Sequence, residues 1–327
     1  MKLLFQYSCL IIGRIPPPIG GVTIHVQRLI DTLNSTGFKY RFIELNTRNL
    51  PKIIINLFRY KCFHLHSSNV YLQFFFSLLS KVFIRNSIIT YHGDLDRYVA
   101  FKNKLVLLSV KLCKYPIVLN ENSLKIASIH NKKSKKISSF IPPINEKLLS
   151  EETINKINKL KSHSFKVFAT NAYGFTYDKN NIEIYGVLDL IDVFNNNNDF
   201  SLIISDPSGE YNKYIIENKL HVNQNILILS YHHSFCEVLK LSDASIRNTS
   251  TDGDSLSIKE SLYYNKLTFA TNVVSRNNGV ITYKRGDYNI LFQNVESPVV
   301  DKNKLNGSVE LIKLYNRIIN ETNHTIL

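Results

Sequence analysis

The residues with the clearest chemical potential lie together at Arg247 and Asp252-Gly253-Asp254-Ser255-Leu256-Ser257-Ile258-Lys259-Glu260. An apolar stretch ends at a polar loop that opens directly into a helical pattern. Ser255 and Ser257 suit a helix start, where the first-turn amides have no intrahelical partner. Such a start attracts anions and would accept a diphosphate. Ile258 and Leu262, four residues apart, would hold the helix on its sheet. Glu260 then points elsewhere, where a carboxylate can accept hydrogen bonds from two vicinal hydroxyls. Asp252, eight residues earlier, stands at the loop mouth, within reach of sugar hydroxyls. The spacing alone fits a second reading equally well, in which Asp252 and Asp254 only serve a turn and a helix N-terminus.

Two further groups carry chemistry. Gly20 and Gly21 follow a proline-rich run and precede a helix containing His25. Glycines there let a backbone approach phosphate or acceptor without a Cβ in the way, although a plain turn explains the pair as well. His92, in Tyr91-His92-Gly93-Asp94, ends an apolar strand pattern. An imidazole there can bond a hydroxyl or stabilise developing charge; a structural histidine is the simpler alternative.

The elements that must position these groups alternate between strand and helix. Strands are expected near 2–12, 40–45, 62–65, 87–91, 116–119 and 138–143, with helices near 22–33, 50–60, 70–84 and 98–114. After a polar, lysine-rich stretch at 146–162 the rhythm restarts, with strands near 165–171, 200–205, 226–230, 244–248 and 267–271. Helices are expected between these strands, and 309–319 reads as a closing amphipathic helix. This pattern implies two mostly parallel sheets covered on both faces, in domains 1–163 and 164–327, with the final helix 309–319 free to pack back on the first. Two such domains facing each other would present both sheet ends to one cleft, where ligands of open α/β sheets bind. A chain of 327 residues suits two cores of this size.

Asp252 and Glu260 together resemble the hallmark of the retaining glycosyltransferases of family 4, an acidic residue, seven others and then Glu, followed by a short helix and a strand like Leu267–Val274. Asp stands where Glu is more usual. The resemblance implies two Rossmann-like domains facing a cleft, the GT-B fold. It also implies that His92 and Asp252 are catalytic. Glu260 would bind the donor ribose, and Asp254, Ser255 and Leu256 would meet the diphosphate and sugar. Gly20, Gly21 and His25 would form the phosphate or acceptor loop. Relatives commonly place an Arg after the first strand of the second domain and a Lys in the next helix. Here Phe168–Gly174 and Glu183–Gly186 contain neither, leaving Arg247 and Lys259 as substitutes. The implied reaction moves a sugar from a nucleoside-diphosphate donor with retention of configuration, with no metal and no cofactor beyond the donor.

Charge suggests the acceptor side. Residues 1–163 carry 25 Lys/Arg against 8 Asp/Glu, whereas 164–327 carry 15 against 18. A basic front half calls for an anionic partner, and no zinc spacing, RNP-like aromatics or basic zipper points to nucleic acid. Lys102, Lys104, Lys111 and Lys114, interleaved with leucines, suit an anionic membrane surface. The expected acceptor is a lipid-linked saccharide of O-antigen or capsule assembly, and the expected location is cytoplasmic, peripheral at the inner face of the plasma membrane. Four scattered cysteines fit a reducing compartment, and the longest apolar stretch, 70–84, is too short to span a bilayer. Alternatives are a nucleotide-sugar epimerase of the same fold, a non-catalytic nucleotide- or glycan-binding subunit, and a basic nucleic-acid binder.

Overall fold

The computed structural model describes residues 9–17, 20–97, 100–178, 180–296 and 300–324. The chain forms two compact units, Met1–Ile144 with Lys304–Leu327, and Asn145–Asn303. The first contains β1 (Cys9–Gly13), α1 (Gly21–Ser35), β2 (Tyr40–Glu44), α2 (Leu50–Leu57), β3 (Cys62–Ser67), α3 (Val70–Val82), β4 (Asn86–Tyr91), α4 (Ala100–Leu112), β5 (Tyr115–Val118), α5 (Glu121–His130) and β6 (Lys135–Lys136). All its strands are parallel, in the order β2-β1-β3-β4-β5-β6.

Strand β1, central in this sheet, reads as a continuous apolar run because both faces are covered. Leu10, Ile12, Phe63, Leu65 and Ile89 share one core with Ile53 and Leu57 of α2, Phe76 of α3, and Val106 and Val110 of α4. Cys9, Ile11, Cys62, Ile88 and Ile117 point the other way, onto Leu29 and Leu33 of α1 and onto Leu311, Leu314, Tyr315 and Ile318. All four cysteines are buried free thiols.

The second unit contains α6 (Glu151–His163), β7 (Lys166–Asn171), α7 (Val187–Asn195), β8 (Phe200–Ser205), α8 (Glu210–Glu217), β9 (Ile226–Leu229), α9 (Phe235–Leu241), β10 (Ala244–Arg247), α10 (Leu256–Tyr263), β11 (Leu267–Thr271) and β12 (Val280–Tyr283). Its sheet is again parallel, ordered β12-β11-β10-β7-β8-β9. A short α11 (Lys302–Leu305) precedes α12 (Gly307–His324), which lies in the first unit. Asn265, after α10, takes the left-handed conformation (φ 55°) that commonly ends a helix.

The division differs from the expected boundary at 163/164. The segment read as a linker is α6, whose Ile154, Ile157 and Leu160 pack with Val167, Ala169 and Ile203 of the second sheet. Of the strand expected near 2–12, residues 9–13 are seen and residues 1–8 lie outside those described. The helix expected near 98–114 is α4, with residues 98 and 99 likewise outside. The strand expected at 138–143 is irregular, and the edge strand β6 lies earlier, at Lys135–Lys136. Among the described residues no helix is long and apolar enough to cross a membrane.

Candidate functional site

In the second unit, β10 delivers Arg247 to the C-terminal edge of the sheet, and the loop after it carries Asp252 and Asp254 into α10. Arg247 grips Asp252 in a fork, with Nε 3.2 Å from Oδ2 and Nη2 3.0 Å from Oδ1. Arg276, from the loop after β11, donates to Oδ2 from 2.7 Å, and the amide of Gly253 donates to Oδ1. The carboxylate, 5% exposed, thus has both oxygens engaged twice. Burial works to raise its pKa, but the two guanidiniums outweigh that and hold it below the usual carboxylate value. This differs from an Asp252 presenting open acceptors to sugar hydroxyls: here it positions two arginines.

The other acidic residues of the loop are also engaged. Asp254 forms a salt bridge with the ammonium of Lys259, a pair almost wholly buried, so Lys259 is not a spare cation for phosphate. Ser255 occupies the N-cap position but makes no side-chain cap hydrogen bond; its hydroxyl lies 3.1 Å from that of Ser257. No serine side chain therefore competes for the first-turn amides, and Leu256 begins the helix beside them. Glu260 lies one turn further along α10 and is 5% exposed.

The region that lacks the expected Arg and Lys borrows cations from elsewhere. The Arg247 guanidinium lies 5.2 Å from the centre of the Tyr185 ring. Arg285, after β12, donates to the Glu183 carbonyl at 2.6 Å and to Asp189 Oδ2 at 2.7 Å. Gly186 caps α7 at φ 62°, and any Cβ there would stand 2.3 Å from the Asn248 carbonyl oxygen; Asn248 in turn donates to the Gly186 carbonyl at 2.9 Å. The start of α7 is thereby tied to the end of β10.

In the first unit, histidines gather at the C-terminal side of the sheet. His25 of α1 and His92 after β4 are joined by His64 and His66 of β3, with ring centroids 5.0 Å apart for His25–His66 and 5.3 Å for His25–His92. His25 Nδ1 lies 2.6 Å from the Ser139 carbonyl oxygen and therefore donates to it. His64 bridges Tyr315 Oη at 2.5 Å and Thr90 Oγ1 at 2.8 Å. His66 Nδ1 lies 3.3 Å from His92 Nε2, while His66 Nε2 is buried with no hydrogen-bond partner among the described residues. Burial first, and mutual repulsion second, push the pKa values of His64, His66 and His92 well below the ordinary imidazole value.

One nitrogen from each of His25, His66 and His92 lies within 4.8 Å of the others. Nitrogens on a tetrahedral zinc at about 2.0–2.1 Å stand roughly 3.4 Å apart, close to the 3.3 Å between His66 Nδ1 and His92 Nε2, so the three rings could also converge on a metal ion. Neutral imidazoles at this spacing suit hydroxyl groups. Gly20 is extended (φ −172°), and the space around the Cα of Gly21 is open; neither backbone needs glycine for its conformation.

The sequence reading did not single out Arg276, Arg285 or Tyr185, whose roles depend on strand adjacency. His64 and His66 had a visible signal, since alternate residues of a strand share one face.

No protein-family model matches the chain, and no curated protein sequence resembles it. Solved structures do. Anabaena Alr3699/HepE in complex with UDP-glucose superposes with a TM-score of 0.61 at 12% identity, over 97% of this chain and 93% of that one. The catalytic domain of Arabidopsis thaliana starch synthase IV bound to ADP and acarbose gives 0.56 at 11%, over 97% and 95%. The UDP-GlcNAc 2-epimerase of Methanocaldococcus jannaschii gives 0.55 at 11%, over 94% and 99%. The fold is GT-B. At these identities the likeness is one of fold.

Proposed function

We propose that the chain transfers a glycosyl group from a nucleoside-diphosphate sugar to a hydroxyl of a glycan acceptor, with retention of anomeric configuration. The observation that carries this reading is the start of α10: first-turn amides without a side-chain cap, flanked by arginines that Asp252 holds in place, with Glu260 one turn on. The helix N-terminus and the guanidiniums would take up charge on the departing diphosphate, a preorganised electrostatic role that needs no divalent metal. Glu260 would accept the ribose hydroxyls. On the acceptor side, His25, His66 and His92 would bond sugar hydroxyls, with the unpartnered His66 Nε2 open to one of them.

The acceptor of this reading is a lipid-linked saccharide, as in O-antigen or capsule assembly, met by a peripheral enzyme at the inner face of the plasma membrane. The basic first half supports an anionic partner of that kind. A panel of UDP-, GDP- and dTDP-sugars, screened by thermal stabilisation and then with a lipid-linked acceptor, identifies the donor. Glu260→Ala is expected to weaken donor binding by calorimetry at least about tenfold, the loss of one charge-assisted hydrogen-bonding group; wild-type affinity in that variant overturns the site.

The likeness to an epimerase supports a second reading on the same donor site. Conversion of the UDP-sugar to its C2 epimer without any acceptor would favour it over transfer.

A further inference from the structure

Helix α3 turns apolar residues outward as well as into the core. Its buried stripe sets Gln73, Ser77 and Ser80 beside Val70 and Phe76: Gln73 Nε2 donates to the Ser67 carbonyl at 2.7 Å, Ser77 Oγ lies 2.8 Å from Ser109 Oγ of α4, and Ser80 donates to Ser87 at 2.9 Å. Its outward stripe is largely apolar. Tyr71, Leu78 and Val82 are exposed, with Phe74 half-buried and the exposed Lys81 beside them. A surface helix ordinarily turns polar and charged residues to solvent. The exposed residues recur at the three-to-four spacing of a single helix face.

The neighbouring elements continue this surface. Helix α4, joined to α3 through the Ser77–Ser109 contact, exposes Phe101 and Leu108 with Lys104 and Lys111 between and beside them. At the other end Phe83 meets Phe58 edge-on at 4.9 Å, with the Arg85 guanidinium over the Phe58 ring. Ile84 follows, 92% exposed and at φ 52°, a left-handed conformation that a β-branched residue rarely adopts. Charge points the same way. Residues 45–120 hold eleven Lys and Arg against two acidic residues, Asp94 and Asp96.

We propose that the outward face of α3 and α4 docks the first unit onto an anionic lipid bilayer. This deepens the reading of a membrane-borne acceptor and names the surface that would meet the membrane. The apolar stripe would enter the boundary between headgroups and acyl chains while the flanking lysines meet the headgroups. A second copy of the chain is the poorer occupant, since it would bring the same positive charge to the contact.

The test is co-sedimentation of the full chain with vesicles of phosphatidylcholine alone or mixed with phosphatidylglycerol, at low and high salt. Binding is expected only to the anionic vesicles, weakened by salt. Leu78→Glu with Val82→Glu, both at exposed positions, is expected to lower the bound fraction about tenfold while the far-UV spectrum, the melting temperature and UDP-sugar binding stay unchanged. Lys104→Glu with Lys111→Glu should lower it and flatten the salt dependence. Indifference of vesicle binding to the Leu78/Val82 pair, or no binding at all, overturns the proposal. So does a dimer in light scattering that the same pair dissociates, which would assign the face to a second copy. Nucleotide-sugar binding is read separately, so failure of the donor reading leaves the vesicle result interpretable.

Discussion

The two sheets end in polar clusters of opposite kinds. At the edge of the first, four imidazoles sit so close and so deep that three are held in the neutral form. At the edge of the second, Asp252 stays ionised because Arg247 closes on it from the end of β10 and Arg276 from the loop after β11. One cluster offers hydrogen bonding without charge, and the other offers charge fixed in place before any ligand arrives. Sugar hydroxyls are neutral and a diphosphate is not, so the contrast matches a division of labour between acceptor and donor. It also explains why two units of like architecture need not bind like ligands.

The largest effect should come from removing the centre of the charged cluster. Asp252→Ala leaves two guanidiniums without their shared carboxylate, and breaking such a buried pair costs about 3–5 kcal/mol. Urea unfolding followed in the second unit should show that loss, with donor binding falling alongside it. A loss under about 1 kcal/mol would mean that the arginines find water instead, and the contrast between the clusters would weaken.

A smaller effect separates the clusters by pH. The buried histidines have lowered pKa values, so the unfolded chain binds more protons than the folded one below about pH 6.5. Stability of the first unit should therefore fall as the pH drops through that point, by at most about 1.4 kcal/mol per imidazole and pH unit. Asp252 has the opposite chemistry in its charged form: its contribution is present above the unfolded value near pH 3.9 and is lost only below it. Between roughly pH 4 and 6.5 the first unit should loosen while the Asp252 cluster holds. Hydrogen exchange resolved by unit checks this, and equal loosening of both units would refute the assignment of neutral imidazoles.

The smallest effect is none. If the imidazoles serve hydroxyls, EDTA should leave glycosyl transfer unchanged; stoichiometric zinc recovered with the protein, together with activity lost to chelator, would turn the neutral cluster into a metal site.

Much of the fold is legible in the sequence because strands buried on both faces are rich in apolar residues, as the run Cys9–Ile12 of β1 is. Helix α5 and strand β12 are not, the first for its weakly sided composition and the second because its four residues, only one of them buried, stand between polar loops. α6 looks like a linker for its lysines, and only the packing of Ile154, Ile157 and Leu160 shows it to be a wall of the second core. The site divides likewise. The spacing of Asp252 and Glu260 is local and visible. That Asp252 faces Arg276 depends on β10 and β11 lying side by side, which residues 24 positions apart cannot announce.

Helix α12 gives the fold a timetable. Leu311, Leu314, Tyr315 and Ile318 cover one face of the first sheet, and Tyr315 reaches His64. During synthesis that face has only α1 to cover it while the whole of Asn145–Asn303 is made. The unit begun first is thus completed last, and until then it is the part of the nascent chain most in need of shelter from aggregation.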